Sequence, residues 1–433
     1  MNPPDKFIIT ETEPTPLIHD FQFFLEYIGT NKPYLTPKGY VSGKDLFQIN
    51  KGMTHPLGDT TVRSGQQLYP QLHLFFHLAQ AGRLIQKALG KADKTVLQLS
   101  DQATDYSKLT PTEKYFFLLE TLWVDTNWKH IEVSIFKGLG ILDAQTVLGK
   151  LAGRTPNVPI RAKDLVSVPD SLGYLWIYFS YLGFWTVTQN KEIASAFKRS
   201  FYPGMVTPLP FGVALAQLLV RERNFLTWNL PFRREIGEWK VNPGQPLPEE
   251  YLGARGAKKS KKPEIVQRDQ TGEPFLLPFV PLFAEGELRN TLPRETGKPV
   301  DGIYFFRVAL AKGVWRKIEI SSNHTLLDLH NAIQNAFQFD SDHLYSFFMD
   351  GIPWSDEKFS SPFEDEGPHV GEVRIGELGL AKGQTILYLF DYGDELRFSV
   401  TLEEIQQDKP HPKKPRIIES KGKNPEQYPN WEE

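Results

Sequence analysis

Apolar positions change period once along the chain, near residue 303, and that change divides the sequence into two kinds of structure. Upstream the spacing is three to four. Over residues 111–124, Tyr115, Leu118, Leu119, Leu122 and Trp123 fall on one helical face. Thr110 followed by Pro111 supplies start chemistry, a hydroxyl cap and then a proline at the first helical position. The same pair recurs at Thr36-Pro37 and at Thr207-Pro208, the latter ahead of Phe211, Ala214, Leu215, Leu218 and Leu219. Apolar helices expected over 72–89 and 172–184 lead into short strand-like stretches, of which 95–99 is the clearest. Helix, helix, strand hairpin, helix is a winged-helix layout. The expectation for residues 1–240 is therefore a mostly α-helical region built of winged-helix-like repeats, with generic helical packing as the alternative.

Downstream the period is two. Phe306, Val308 and Leu310 alternate with Arg307 and Ala309. After a Lys312-Gly313 turn, Val314, Arg316, Ile318 and Ile320 alternate with Trp315, Lys317 and Glu319. Thr325 with Asp328 three residues on is a capping box, opening a helix whose buried face is Leu326, Leu329, Ile333, Ala336 and Phe337. Residues 344–349 read as a strand ending in the tight-turn pair Asp350-Gly351. Residues 386–390 and 396–402 form a last hairpin, with Leu396, Phe398, Val400 and Leu402 facing inward. Residues 301–433 thus read as an α+β domain, β-grasp-like, with one helix on a mixed sheet and an extended C-terminal tail.

Between the two lies a Pro-rich linker, 241–300, carrying Lys258, Lys259, Lys261 and Lys262. Its segment Phe275-Leu276-Leu277-Pro278-Phe279-Val280-Pro281-Leu282-Phe283 is too apolar to stand in water and is expected to pack along a domain. Bulk numbers narrow the chemistry. The chain has 433 residues, 40% apolar and 13% aromatic, a globular composition with room for two or three domains. A net charge of −3 gives no global attraction to nucleic acid. The absence of cysteine excludes disulfides, thiolate metal sites and cysteine nucleophiles. A polar N-terminus argues against a signal peptide, and a cytoplasmic protein is expected. Residues 171–190 carry no charge, but their Tyr, Trp and Gly content predicts a buried aromatic helix rather than a membrane span.

Val314-Trp315-Arg316-Lys317-Ile318, Thr325-Leu326-Leu327-Asp328-Leu329-His330, Phe339-Asp340, Asp342-His343-Leu344-Tyr345 and Phe390-Asp391-Tyr392-Gly393-Asp394 form a recognisable set. So does the tail from Pro415 to Gly422, with Pro425, Gln427, Tyr428 and Pro429. On these marks residues 304–433 resemble the plasmid pRiA4b ORF-3-like family, found in bacterial chromosomes, plasmids and mobile elements. Tyr392 stands where members usually have Phe, and Leu396 where they often have Trp or His. The resemblance implies a fold and no catalytic role or cofactor.

Three groups of residues are candidates for chemistry. His330, His343, Asp342, Asp391 and Asp394 bring imidazoles and carboxylates together, suited to a divalent metal held by His343, Asp391 and Asp394 or to acid–base work. The competing account makes Asp391 and Asp394 turn formers around Gly393. His73 and His77 are four apart, on one helical face, without a third ligand. Arg221, Arg223, Arg233, Arg234 and Lys240, interleaved with Trp228 and Trp239 and followed by the four lysines at 258–262, are the candidate nucleic-acid contacts, against a solvated face diluted by Glu222, Glu235 and Glu238. No P-loop, dinucleotide turn or nucleophile elbow occurs. The expected function is a non-enzymatic binding or regulatory protein without a cofactor, its C-terminal domain an interaction module for a protein partner. The alternatives are a nucleic-acid-associated regulator linked to a mobile element and a metal-dependent enzyme.

Overall fold

The computed structural model describes residues 6–424 and 427, apart from 37, 90–94, 135–139, 197–200, 237, 239, 240, 248–272, 293–299, 312, 356, 366 and 381. The change of period separates two units, Met1–Phe232 with Asn242–Leu292, and Arg233–Val241 with Pro293–Glu433.

In the first unit the chain runs α1 (Leu17–Asn31), α2 (Gly43–Lys51), α3 (Pro70–Ala81), β1 (Ile85–Leu89), β2 (Thr95–Leu99), α4 (Asp101–Ser107), α5 (Pro111–Glu120), α6 (Trp128–Ile131) and α7 (Gly140–Leu151). It continues as β3 (Ile160–Arg161), α8 (Ala162–Leu165), α9 (Leu175–Tyr181), β4 (Trp185–Gln189), α10 (Lys191–Ala196), β5 (Pro203–Pro208), α11 (Pro210–Glu222), α12 (Phe225–Trp228) and α13 (Leu230–Glu235), the last crossing the unit boundary. One order occurs twice: helix, short extended segment, two helices, hairpin. In the first pass Tyr34 bridges Val96 of β2, which pairs with β1. In the second, β3 pairs with β5, which pairs with β4. The first extended segment thus pairs with the third in both, and the third helix of each pass, α3 and α9, packs against the other.

The Thr-Pro signals divide by what competes with them. Thr110 caps α5 in a capping box with Glu113. Thr207 does not cap: it pairs with Thr186 inside β5, and Leu209 precedes the proline, Pro210, that starts α11. Pro37 lies outside the described residues, and α2 starts instead from Ser42, whose hydroxyl accepts from Asp45 N. The uncharged stretch 171–190 is not one helix. Gly173 and Gly183, both at positive φ, break it into α9 and β4. Among the described residues no helix is long and apolar enough to cross a membrane.

Buried aromatics fill this unit, and its buried tryptophans donate to backbone carbonyls. Trp123 Nε1 donates to Arg223 O (2.7 Å), Trp176 Nε1 to Pro169 O (2.8 Å) and Trp185 Nε1 to Trp176 O (2.8 Å). From the stretch read as a linker, Phe279 and Phe283 are buried with their rings 5.2 and 5.4 Å from Phe116, and Asn290 N donates to Glu113 Oε1.

The second unit holds β6 (Ile303–Ala311), β7 (Val314–Ser321), α14 (Leu326–Phe337), β8 (Tyr345–Phe348), β9 (Lys358–Ser360), β10 (Thr385–Phe390), β11 (Leu396–Gln406) and β12 (Arg416–Lys421). The strands form one sheet in the order β12-β7-β6-β11-β10-β8-β9. Each of these pairings is antiparallel, where a mixed sheet was expected. The reason is connectivity: β6–β7 and β10–β11 are hairpins, and β8 and β12 return beside them in the opposite sense. Thr325 and Asp328 cap α14 reciprocally. Leu326, Leu329, Ile333 and Phe337 then meet Phe306, Ile318, Tyr388, Phe398 and Val400 in a single core. At one edge Arg316, buried, ties three elements together. Its guanidinium donates to Ala336 O at the end of α14 and to Lys421 O and Gly422 O after β12, bonds Asn424, and lies over the Phe337 ring.

Candidate functional site

The last hairpin turns at Asp391-Tyr392-Gly393-Asp394-Glu395, and backbone geometry explains these residue types. Asp391 and Glu395 have φ of 57° and 50°. Asp391 Oδ1 accepts from Gly393 N (2.9 Å) and Asp394 N (3.3 Å), while Glu395 N donates to Asp391 O (2.7 Å). This is an aspartate bonding its own turn amides. His343 approaches from the entry to β8, with Nδ1 3.6 Å from Asp391 Oδ2 and Nε2 3.5 Å from Asp342 Oδ1. Asp394 is exposed, and its part in the turn is its backbone amide. The described residues contain no group of three or more His, Cys, Asp or Glu placed to hold a metal. His343 and Asp391 therefore meet, and Asp394 does not complete a ligand set with them.

His330 turns away from this turn into the core. Its ring stacks on Tyr345 at 3.7 Å and 3°, and burial pushes its pKa down to about 4. Gln334 Nε2 donates to Tyr388 Oη (2.7 Å), which leaves the Tyr388 hydroxyl hydrogen for His330 Nδ1 (2.7 Å). The imidazole is neutral and accepting, a core hydrogen bond rather than a ligand.

Around the same hairpin lies a feature the sequence reading passed over. Asp350-Gly351 is followed by Ile352 and Trp354, the latter at φ 63° and 49% exposed. Trp354 Nε1 donates to Glu395 Oε1 (3.0 Å), and its ring packs edge-on to Tyr392 with centroids 4.8 Å apart. Tyr392 Oη bonds Ser346 (2.8 Å) and Glu364. Burial, then Glu364, pushes the phenol well above its ordinary value. Beside Glu364, Phe363 is 83% exposed. Trp354 and Tyr392 thus form an aromatic pair at the loop tip, with Ile352 and Phe363 exposed on the segments beside it, Glu395 paired with Arg397 and Glu364 with Lys358. Its sequence signal was Ile-Pro-Trp directly after a tight turn, which places large apolar groups at a loop tip.

In the helical unit, His73 and His77 stand edge to face on α3, ring centroids 4.6 Å apart, and burial lowers both pKa values, His73 to about 4. The basic residues do not gather. Arg221 is exposed and paired with Glu222 (2.7 Å). Arg223 is 1% exposed; its Nε donates to Phe275 O, its Nη2 to Pro274 O, and it stacks on Trp228 at 4.4 Å. Arg233 is fully buried and paired with Glu238, and Arg234 is half-buried. Arg223 and Arg233 thus offer no charge to a phosphate, contrary to the sequence expectation: both are spent on internal acceptors. Lys240, Trp239, Lys258, Lys259, Lys261 and Lys262 lie outside the described residues.

With this geometry in view, the comparisons bear on the second unit. Residues 303–428 match the family model of the plasmid pRiA4b ORF-3-like protein. The helical region lies outside that match. A solved structure, that of the protein of unknown function MM3350 from Methanosarcina mazei Go1, is 26% identical over 29% of this chain and 72% of its own, with a TM-score of 0.24. No curated protein matches. In the pRiA4b ORF-3-like region, the family marks are structural where they can be traced: Arg316 clasps the tail, Thr325 and Asp328 cap α14, and Asp391 builds the last turn.

Proposed function

We propose that the protein works by binding a protein partner, with the surface around Trp354 on the pRiA4b ORF-3-like unit as its contact. The observation carrying this reading is the exposure of Trp354, Phe363 and Ile352 around the fixed Tyr392 ring. Exposed aromatic groups beside buried, hydrogen-bonded ones are typical anchors of an interface. The experiment is affinity capture with the full chain and with Trp354→Ala/Phe363→Asp. A partner held by the first and lost from the second supports the reading. A partner retained equally by both, or none held by the wild-type chain, overturns it.

A nucleic-acid-associated regulator is the second reading. Its support is the order seen twice in the helical unit, which we read as winged-helix-like. In that layout the third helix is the one expected to enter a DNA groove. Here α3 and α9 hold that place and pack on each other, and Tyr174 Oη, just before α9, donates to Gln67 O just before α3. That arrangement favours a scaffold made of paired modules over a reader of DNA.

A further inference from the structure

Where the two passes of the helical unit meet, a cleft of about 310 Å³ opens between α1, the loop after α2, the start of α3 and the end of α9. That volume lies at the small end of ligand pockets, and the junction of two modules is where such pockets form. Leu17, Met53, Leu57 and Leu72 with the rings of Tyr69 and Tyr181 give it an apolar side, and polar groups, His55 among them, complete the lining. One carboxylate lines it, that of Asp20, whose side chain is 1% exposed. Asp20 Oδ1 accepts from Thr54 N (2.9 Å) and Thr54 Oγ1 (2.6 Å), and His19 Nδ1 touches it at 3.2 Å. Oδ2 accepts from Gln71 Nε2 (2.8 Å) alone among the described residues. No lysine or arginine lines the cleft. Burial, with Asp20 contributing, holds the Tyr181 phenol well above its ordinary value.

We propose that this cleft binds a small organic ammonium, a primary amine on a short apolar or aromatic body. The ammonium donates to Asp20 Oδ2, where a charge-assisted hydrogen bond in an apolar surround is strong. The Tyr69 and Tyr181 rings add the attraction of an aromatic face for a cation, and the body lies along Leu17, Met53 and Leu57. A neutral or anionic group of the same shape gains none of this and, if anionic, meets Asp20 as a like charge. The site lies wholly in the helical unit and does not depend on the Trp354 surface.

The test is calorimetric titration of the full chain with 2-phenylethylammonium, 2-phenylethanol and 3-phenylpropionate at one ionic strength. The expected result is saturable binding of the ammonium, at least tenfold tighter than the alcohol, and none of the carboxylate. Asp20→Asn removes the preference for the ammonium. Because Asp20 also holds Thr54, Leu57→Trp serves as a second variant. Leu57 is 41% exposed at the rim, so the larger ring blocks the cleft without disturbing the fold. The ammonium then no longer binds. Equal binding of alcohol and ammonium, binding that survives Leu57→Trp, or no binding of the ammonium overturns the proposal.

Discussion

Asp350 gives the sheet unit one pH-dependent contribution to its stability. Burial first, then the charge of Glu357, raises its pKa to about 7, against the backbone amide of Ile352 and the hydroxyl of Ser355, which hold its ionised form. The carboxyl is thus harder to ionise folded than unfolded. The unfolded chain releases this proton near pH 4 and the folded one near pH 7, so the contribution of this group to stability is full below about pH 4 and is lost as pH rises through 7. Asp350→Asn keeps an oxygen for Ile352 N and Ser355 and removes the charge. It is expected to stabilise the sheet unit at pH 8 by on the order of 2 kcal/mol in urea unfolding, and to have no effect at pH 3.5. An equal effect at both pH values would show that packing, not ionisation, is responsible. His330 marks what a sequence can and cannot give at this scale. Its place on an amphipathic helix was legible. Its partner Tyr388 stands 58 positions away, and only the folded sheet reveals that the imidazole is consumed inside the core.

Elements were legible where their signals are local. Thr110 reaches Glu113 within one turn, so the capping box survives any tertiary arrangement, and the same holds for Thr325 and Asp328. Thr207-Pro208 failed because strand pairing with Thr186 competes with capping, and nothing nearby in the chain announces that pairing. Gly183 likewise ended a helix that apolar composition alone would have carried on. The joint between α14, β7 and β12 belongs to this scale too. Arg316→Met keeps the packing stem and removes the donors to Ala336 O, Lys421 O and Gly422 O. A loss of about 3 kcal/mol is expected, since buried carbonyls lose a charged donor. Trypsin cleavage after Lys421 should accelerate in the same variant. Unchanged stability and an unchanged digestion pattern would show that β12 is held by its ladder with β7 alone.

At the scale of the whole molecule, two cores of different construction sit on one chain, aromatic helices in the first unit and an antiparallel sheet with a single helix in the second. The alternation after residue 303 made the strands readable. Their order was not, because β12 and β8 find their neighbours across long intervals of sequence. The candidate metal group is a related case: nearness in sequence brought Asp391 and Asp394 into one turn, where Asp391 approaches His343 and Asp394 bonds through its backbone amide. Charge is also a property of the whole. With Arg223, Arg233 and Arg316 turned inward and a net charge of −3, duplex DNA is expected to pass an immobilised column of the protein unretained at about 150 mM salt. Retention that weakens steeply as salt rises would restore the nucleic-acid reading. β12 is a six-residue, fully exposed strand with an irregular register between Ile417 and Glu419 and charges at both ends, features that blunt recruitment of another chain. It covers β7, eight residues long and bonded along most of its length. Cut away, it would leave a straight template for fibre growth, so the strand acts as the sheet's selvedge, the finished border that keeps the weave from extending.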